Sequence, residues 1–273
     1  MKNIKFLLLL LITLSFSSCE KVIDVELNNA PPRLVIDAFI KWTKGTTGNE
    51  QKIKLSTTAP YFSNTIPTVS GATVFITDSN NTDFHFTEIA GLGDYICTNF
   101  TPLLNSKYTL TVIYNGETYT ASETLKPVPE ITKIEQKNDS GFSGKNIEIK
   151  AFFNDNQSTD DFYLFKFKAP FTAIPQYRLL KDKIFQGNEF FGLYTNKDLK
   201  TGDELEIGIY GISQQYFNYM NILMSIAGSN SGSPFQSPPA TVRGNIINTT
   251  TEANYALGYF SLSETDEKKY IVE

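Results

Sequence analysis

Residues 213–227 read SQQYFNYMNILMSIA, and this stretch carries the strongest helical pattern in a chain that otherwise predicts strands and loops. Its apolar residues recur at the spacing of one helical face, at positions 216, 219, 220, 223 and 226. Its polar residues form a narrow stripe: Gln214, Asn218, Asn221 and Ser225. Ser213 is suited to cap the first turn, and Gly228 suits the left-handed residue that ends a helix. We therefore predict one helix over residues 214–227.

The two sides of this helix lead to different expectations. We expect Tyr216, Met220 and Leu223 to form its buried face, because a mostly apolar helix in a β-rich chain must pack across a sheet or plug one end of it. The polar stripe leaves two alternatives: Asn218 and Asn221 face water, or both are buried and bonded to loop backbone. In both cases the two amides are candidates for a ligand or partner surface.

The loop that follows the helix, residues 228–239, adds a third candidate to that surface. Its Gly- and Ser-rich sequence cannot build a packed core, yet it contains Pro234 and Phe235. An aromatic side chain in such a loop is exposed unless something covers it. Phe235 therefore packs on the protein's own β-sandwich or docks on a partner.

The residues before the helix predict two β-sandwich-like domains. Seven short alternating segments between residues 33 and 127 are typical of an immunoglobulin-like sandwich. The clearest signal is Asn115-Gly116 between two alternating strands, the pattern of a tight hairpin, and Tyr108 is placed like a tyrosine corner. Pro127 and Pro129 mark the boundary. The strand pattern then restarts, so we predict a β-rich domain over residues 128–273, with the helix near its C-terminal end and a final strand over 256–263.

The first residues of the chain predict an export signal. Lys2 and Lys5 precede residues 6–14 (FLLLLLITL), an apolar core too short to span a bilayer. The following SFSSC, which ends at Cys19, resembles the lipobox of bacterial lipoproteins. We predict a signal peptide over residues 1–18, acylation of Cys19 by a fatty acid such as palmitate, and a lipidated tether over residues 19–32. The alternative is an ordinary secretory peptide with an incidental cysteine.

Several stretches of the chain resemble a family of Bacteroidota lipoproteins known as domain of unknown function 4249. The similar stretches are 19–25 (CEKVIDV), 31–36 (PPRLVI), 182–187 (DKIFQG), 216–219 (YFNY), 234–235 (PF), 238–240 (PPA), 244–246 (GNI) and 256–260 (ALGYF). The resemblance implies a cell-envelope lipoprotein, often encoded beside a TonB-dependent outer-membrane receptor. The family has no assigned activity, so the resemblance implies no catalytic residue.

The composition argues against most enzyme and metal chemistry. The chain has one histidine and two cysteines, too few for a histidine-based triad with internal support or for a zinc site. We expect His85 to face solvent and Cys97 to be a small core residue. Residues 154–161 (NDNQSTDD) are rich in oxygen ligands for calcium but lack the glycine and the distant glutamate of an EF-hand, so a solvated turn is the better interpretation. We predict no catalytic residue, no metal and no cofactor.

The sequence therefore predicts a binding protein and not an enzyme. The net charge of −5 argues against nucleic acid as a partner. We expect an outer-membrane lipoprotein, held on the periplasmic or the cell-surface side by its lipid, that binds substrate for a TonB-dependent receptor or acts as its accessory partner. The alternative is a structural or assembly lipoprotein with no small ligand.

Overall fold

The computed structural model describes residues 31–60, 63–140, 144, 146–227 and 242–273. The predicted signal peptide, Cys19, most of the tether and Phe235 lie outside these residues. Residues 32–273 form one compact unit. No helix of the described residues is long and apolar enough to cross a membrane.

The described residues are mainly β-structure with one α-helix near the C-terminal end, as predicted. The strands are β1 (Leu34–Thr43), β2 (Gln51–Thr57), β3 (Thr73–Thr77), β4 (Asp83–Ile89), β5 (Asp94–Cys97), β6 (Lys107–Tyr114), β7 (Glu117–Thr124), β8 (Ile131–Ser140), β9 (Asn146–Asn154), β10 (Phe162–Lys168), β11 (Gln176–Lys181), β12 (Glu189–Asn196), β13 (Glu204–Ile212), β14 (Ile247–Asn248) and β15 (Leu257–Ile271). A 3-10 helix spans Asp182–Ile184, and helix α1 spans Gln214–Ala227.

The strands form two hydrogen-bonded sheets. The first has the order β11-β10-β13-β15-β1-β2-β5-β4-β3-β6-β7-β14, and the second has the order β12-β9-β8. Strand β1 runs parallel to β15, while its other neighbour, β2, is antiparallel to it. Strand β15 thereby joins β13 on one side to β1 on the other.

Strands β1 to β7 surround the first hydrophobic core, and their local features match the immunoglobulin-like prediction. Asn115 and Gly116 form a two-residue turn with φ of 50° and 77°, which is the primed geometry that an Asn-Gly pair favours. The hydroxyl of Tyr108 accepts from the Leu103 N–H (2.8 Å) and donates to the Thr101 carbonyl (3.1 Å), so the tyrosine corner is confirmed.

A second core lies between the three-stranded sheet and one face of the neighbouring strands β10 and β13. Tyr163, Phe165 and Phe167 of β10 point into it, and so do Leu205, Ile207 and Ile209 of β13. Because side chains alternate along a strand, the residues between them face the opposite side of the sheet. That opposite side carries the helix.

Helix α1 covers the outer face of the sheet. The Ser213 hydroxyl accepts from the Tyr216 N–H (3.1 Å), which confirms the predicted cap. Met220 is buried, together with Leu164, Tyr210 and Ile212 of the sheet. The prediction that Leu223 is buried was wrong, because its side chain is 36% exposed. The side that faces the sheet is formed by Tyr216, Phe217, Met220 and Met224.

Strand β15 is longer than the predicted segment 256–263, and it serves both cores. Phe260 and Leu262 lie in the first core, and Val272, just after the strand, lies in the second. Ile246 and Ala256 also pack in the first core, although they belong to the segment assigned to the second predicted domain. The division into domains 33–127 and 128–273 stays a prediction, and the two cores meet at the linker that contains Pro127 and Pro129.

Candidate functional site

A cleft of about 520 Å³ opens at the N-terminus of helix α1. Its walls come from the linker, from the segment before β10, from the 3-10 helix and from the start of α1, and they carry charges of both signs. The lining residues are Lys126, Asp160, Asp161, Phe162, Lys181, Asp182, Lys183, Gln186, Ile212 and Gln214. Residues far apart in the sequence therefore converge on one concave, mainly polar surface.

Three aspartates meet beside this cleft, and we call them the aspartate triad: Asp155, Asp161 and Asp182. One carboxylate oxygen of each lies within 4.8 Å of the others. Asp155 and Asp161 begin and end the loop between β9 and β10, and Asp182 begins the 3-10 helix after β11, so two segments supply the triad. Asp155 and Asp182 are buried, whereas Asp161 is half-buried.

Hydrogen bonds hold the loops of the triad together. Asp155 accepts from the Tyr163 hydroxyl (2.6 Å) and from the Gly187 N–H (2.9 Å). Asp182 accepts from the N–H of Asp161. Gly187 has a φ of +74°, and a Cβ atom there would lie 2.8 Å from the Cβ atom of Gln157. Glycine is therefore required where the 182–187 segment passes the 155–161 loop.

The triad concentrates negative charge in a partly dry site. Burial raises the pKa of Asp182, and the neighbouring charges of Asp155 and Asp161 raise it further, while the Asp161 N–H opposes both effects. Burial and the hydrogen bond to Asp155 raise the pKa of the Tyr163 phenol. Carboxylate oxygens at this spacing are the donors that a hard cation such as Ca²⁺ prefers. The three aspartates are the residues of this site that can hold one.

The triad corrects one sequence-based interpretation. Residues 156–160 are exposed, as a solvated turn requires, but Asp155 is 8% exposed and belongs to a buried network. Asp182 was missed as a site residue, although the segment 182–187 stood out by its family resemblance. No local pattern links Asp182 to Asp155, because the contact joins two loops on either side of β10 and β11.

The remaining predicted residues lie on the helix or outside the described chain. Asn218 and Asn221 are exposed on α1, so the polar stripe faces water and continues the line that Gln214 begins at the cleft. His85 is exposed on β4, and Cys97 is buried in the first core, as predicted. Cys19 and Phe235 lie outside the described residues, so both stay predictions.

Comparisons with known proteins identify a family. A family model described as "Domain of unknown function (DUF4249)" matches residues 20–269. No curated protein sequence matches the chain.

The solved structures that are similar to the chain include two fibronectin type-III segments and one bacterial protein. A two-domain fibronectin type-III segment of chicken tenascin is 12% identical, with 60% of this chain and 85% of that one covered and a TM-score of 0.21. The FN1–FN3 domains of chicken CNTN1 are 13% identical, with 67% of this chain and 63% of that one covered and a TM-score of 0.27. A DUF4785 family protein from Legionella pneumophila is 8% identical, with 65% of this chain and 52% of that one covered and a TM-score of 0.25. Scores this low carry no argument about function.

Proposed function

We propose, on the premise that this chain belongs to the DUF4249 family, that it is a cell-envelope lipoprotein that binds substrate for, or assists, a TonB-dependent receptor. In this proposal, the protein is exported by residues 1–18 and anchored in the outer membrane of a Bacteroidota cell through acylated Cys19. The folded unit 32–273 then works at the membrane surface. Its partner is the receptor, and its ligand is carried by the cleft at the start of α1.

The observation that supports a binding role is the cleft itself. Its lining combines the positive side chains of Lys181 and Lys183 with two members of the aspartate triad, Asp161 and Asp182. Side chains of both signs suit a ligand or a receptor loop that is polar and carries its own charges. Asn218 and Asn221 extend this polar surface along the exposed side of the helix.

Co-purification in mild detergent tests the proposal. We expect the wild-type chain to recover a TonB-dependent receptor from membranes, and the double variant Lys181→Glu/Lys183→Glu to lose it. The matched control is Lys197→Glu/Lys200→Glu, the same charge change on exposed lysines in the turn at the far end of β13. Recovery of the wild-type chain alone, or equal loss in both double variants, would contradict the proposal.

A thermal-shift screen separates this function from a structural or assembly lipoprotein without a small ligand. A compound that binds the folded state must raise the melting temperature. Peptides, glycans and siderophores are the classes to screen, with the cleft double variant as the reference. If no class shifts the wild-type chain while the receptor still co-purifies, the accessory role without ligand is the better assignment.

A further inference from the structure

Two of the three arginines of the chain stack on one tyrosine. The guanidinium carbon of Arg33 lies 3.9 Å from the centroid of the Tyr255 ring, and that of Arg243 lies 3.8 Å from it. Two guanidinium groups cannot share one face of a ring at that distance, so they lie on opposite faces. We call this arrangement the arginine clamp: Arg33, Tyr255 and Arg243.

Among the described residues, no carboxylate lies within ion-pair distance of either guanidinium of the clamp. The guanidinium of Arg33 donates to the carbonyl oxygens of Ala253 (3.3 Å) and Tyr255 (3.5 Å). Within the part of the chain that the structure describes, neither arginine forms an ion pair, whereas nine lysine–carboxylate contacts are found there. Arg243 is exposed and Arg33 and Tyr255 are half-buried, so the guanidinium edges remain accessible.

Arg33 of the clamp comes directly after the predicted tether in the sequence. Arg33 directly precedes β1 and follows the Pro31-Pro32 pair that closes the predicted tether. Arg33 comes fourteen positions after Cys19, a reach of at most about 50 Å for a fully extended chain. A tether of this length keeps the clamp at a millimolar or higher effective concentration of headgroups.

We propose that the arginine clamp binds the phosphate groups of anionic lipids at the membrane that carries the anchor, and so orients the protein on the surface. This inference rests on the proposed lipid anchor. Arginine presents its donors in a planar fork that matches phosphate geometry, and stacking on Tyr255 fixes both forks before the lipid arrives. The chain as a whole is acidic, so its net charge opposes adsorption and a local positive site is needed.

Sedimentation with vesicles tests the clamp without any lipid on the protein. The chain is prepared without its leader and Cys19, because residues 32–273 form a compact unit of their own. Vesicles of phosphatidylglycerol and phosphatidylcholine, at low salt and high lipid excess, are compared with phosphatidylcholine alone. Arg33→Gln and Arg243→Gln should each lower the partition into anionic vesicles about fivefold, and the double variant about thirtyfold.

Two controls make the result decisive. Arg178→Gln removes the same charge from the exposed third arginine on β11 and should leave the partition unchanged. Thermal melting of each variant checks that the fold is intact.

Several outcomes would overturn the proposal. These are no binding of the unaltered chain to anionic vesicles, an equal loss in Arg178→Gln, or binding that persists in the double variant. If inorganic phosphate at millimolar concentration occupied the clamp as well as the vesicles do, the clamp would be assigned to a free anion and not to lipid. Since the assay needs no acyl chain and no receptor, the proposed function and the clamp can fail independently.

Discussion

Both halves of strand β15 contain buried side chains, but those of the first half are mainly apolar and those of the second half are polar. From Tyr259 to Ser263 the strand is buried beside β1, and its inward residues Phe260 and Leu262 are apolar. From Glu264 onward the sequence is almost entirely polar, yet Glu264, Thr265 and Asp266 are buried as well. The first half is held by hydrophobic burial, which does not depend on direction. The second half is held by specific hydrogen bonds.

The linker between β7 and β8 explains why the carboxylates of Glu264 and Asp266 are buried. Glu264 accepts from the Val128 N–H (2.9 Å) and Asp266 accepts from the Ile131 N–H (2.7 Å). A linker interrupted by Pro127 and Pro129 cannot form a regular ladder, so its remaining N–H groups need other acceptors. The linker also passes very close to β13, since a Cβ atom at Gly211 would lie 2.0 Å from the Pro127 carbonyl oxygen. A polar strand segment can therefore lie inside a sheet when its side chains accept hydrogen bonds from the backbone N–H groups of a neighbouring segment.

The largest expected effect comes from the apolar half. Phe260→Ala should lower the free energy of unfolding by about 3–5 kcal/mol, because Phe260 has no exposed surface and its removal leaves a cavity in the first core. Urea denaturation measures the loss. Phe171→Ala is the matched control, since Phe171 is 43% exposed and its truncation should change stability by less than about 0.5 kcal/mol. If the two variants lost the same stability, hydrophobic burial would not be what holds the first half of β15.

The polar half predicts a smaller but more specific effect. Asp266→Ala should cost about 1.5–3 kcal/mol, because the buried Ile131 N–H loses a charged acceptor. Asp266→Asn keeps an oxygen at that position and should cost less. The two denaturation midpoints decide between the acceptor and the charge. If both variants lose the same stability, the negative charge is what the linker needs, and the hydrogen-bond explanation is wrong.

Regular patterns in the sequence predicted the regular parts of the fold. The Asn115-Gly116 hairpin follows from local turn chemistry, and α1 follows from its period and its cap at Ser213. The period did not decide which side of α1 faces the sheet, because apolar residues cover most of its circumference. Leu223 was therefore assigned to the wrong side.

The features that the sequence did not reveal depend on contacts between distant segments. Residues 264–269 (ETDEKK) show no hydrophobic alternation, so the second half of β15 could not be recognised as a strand. Its acceptors make sense only beside the 126–131 linker. The aspartate triad has the same origin, since Asp155 and Asp182 meet through tertiary packing. For the candidate site, the sequence singled out Asn218 and Asn221 of α1 but left open whether they face water, and it did not predict the cleft at the start of the helix.

The smallest expected effect tests whether the polar half of β15 is also fixed by the second core. Val272 is 1% exposed, and its backbone donates to the Asp203 carbonyl (2.9 Å) and accepts from the Gly202 N–H (2.7 Å). Val272→Ala should cost about 1.5 kcal/mol, since two buried methyl groups contribute about 0.8 kcal/mol each. Ile271→Ala is the matched control, because Ile271 is 54% exposed and its truncation should stay within about 0.5 kcal/mol. Hydrogen exchange of the Val272 amide supplies a second measurement. If Val272→Ala leaves both stability and exchange unchanged, the strand is held beyond Asp266 by its pairing with β13 alone, and the second core does not help to fix it.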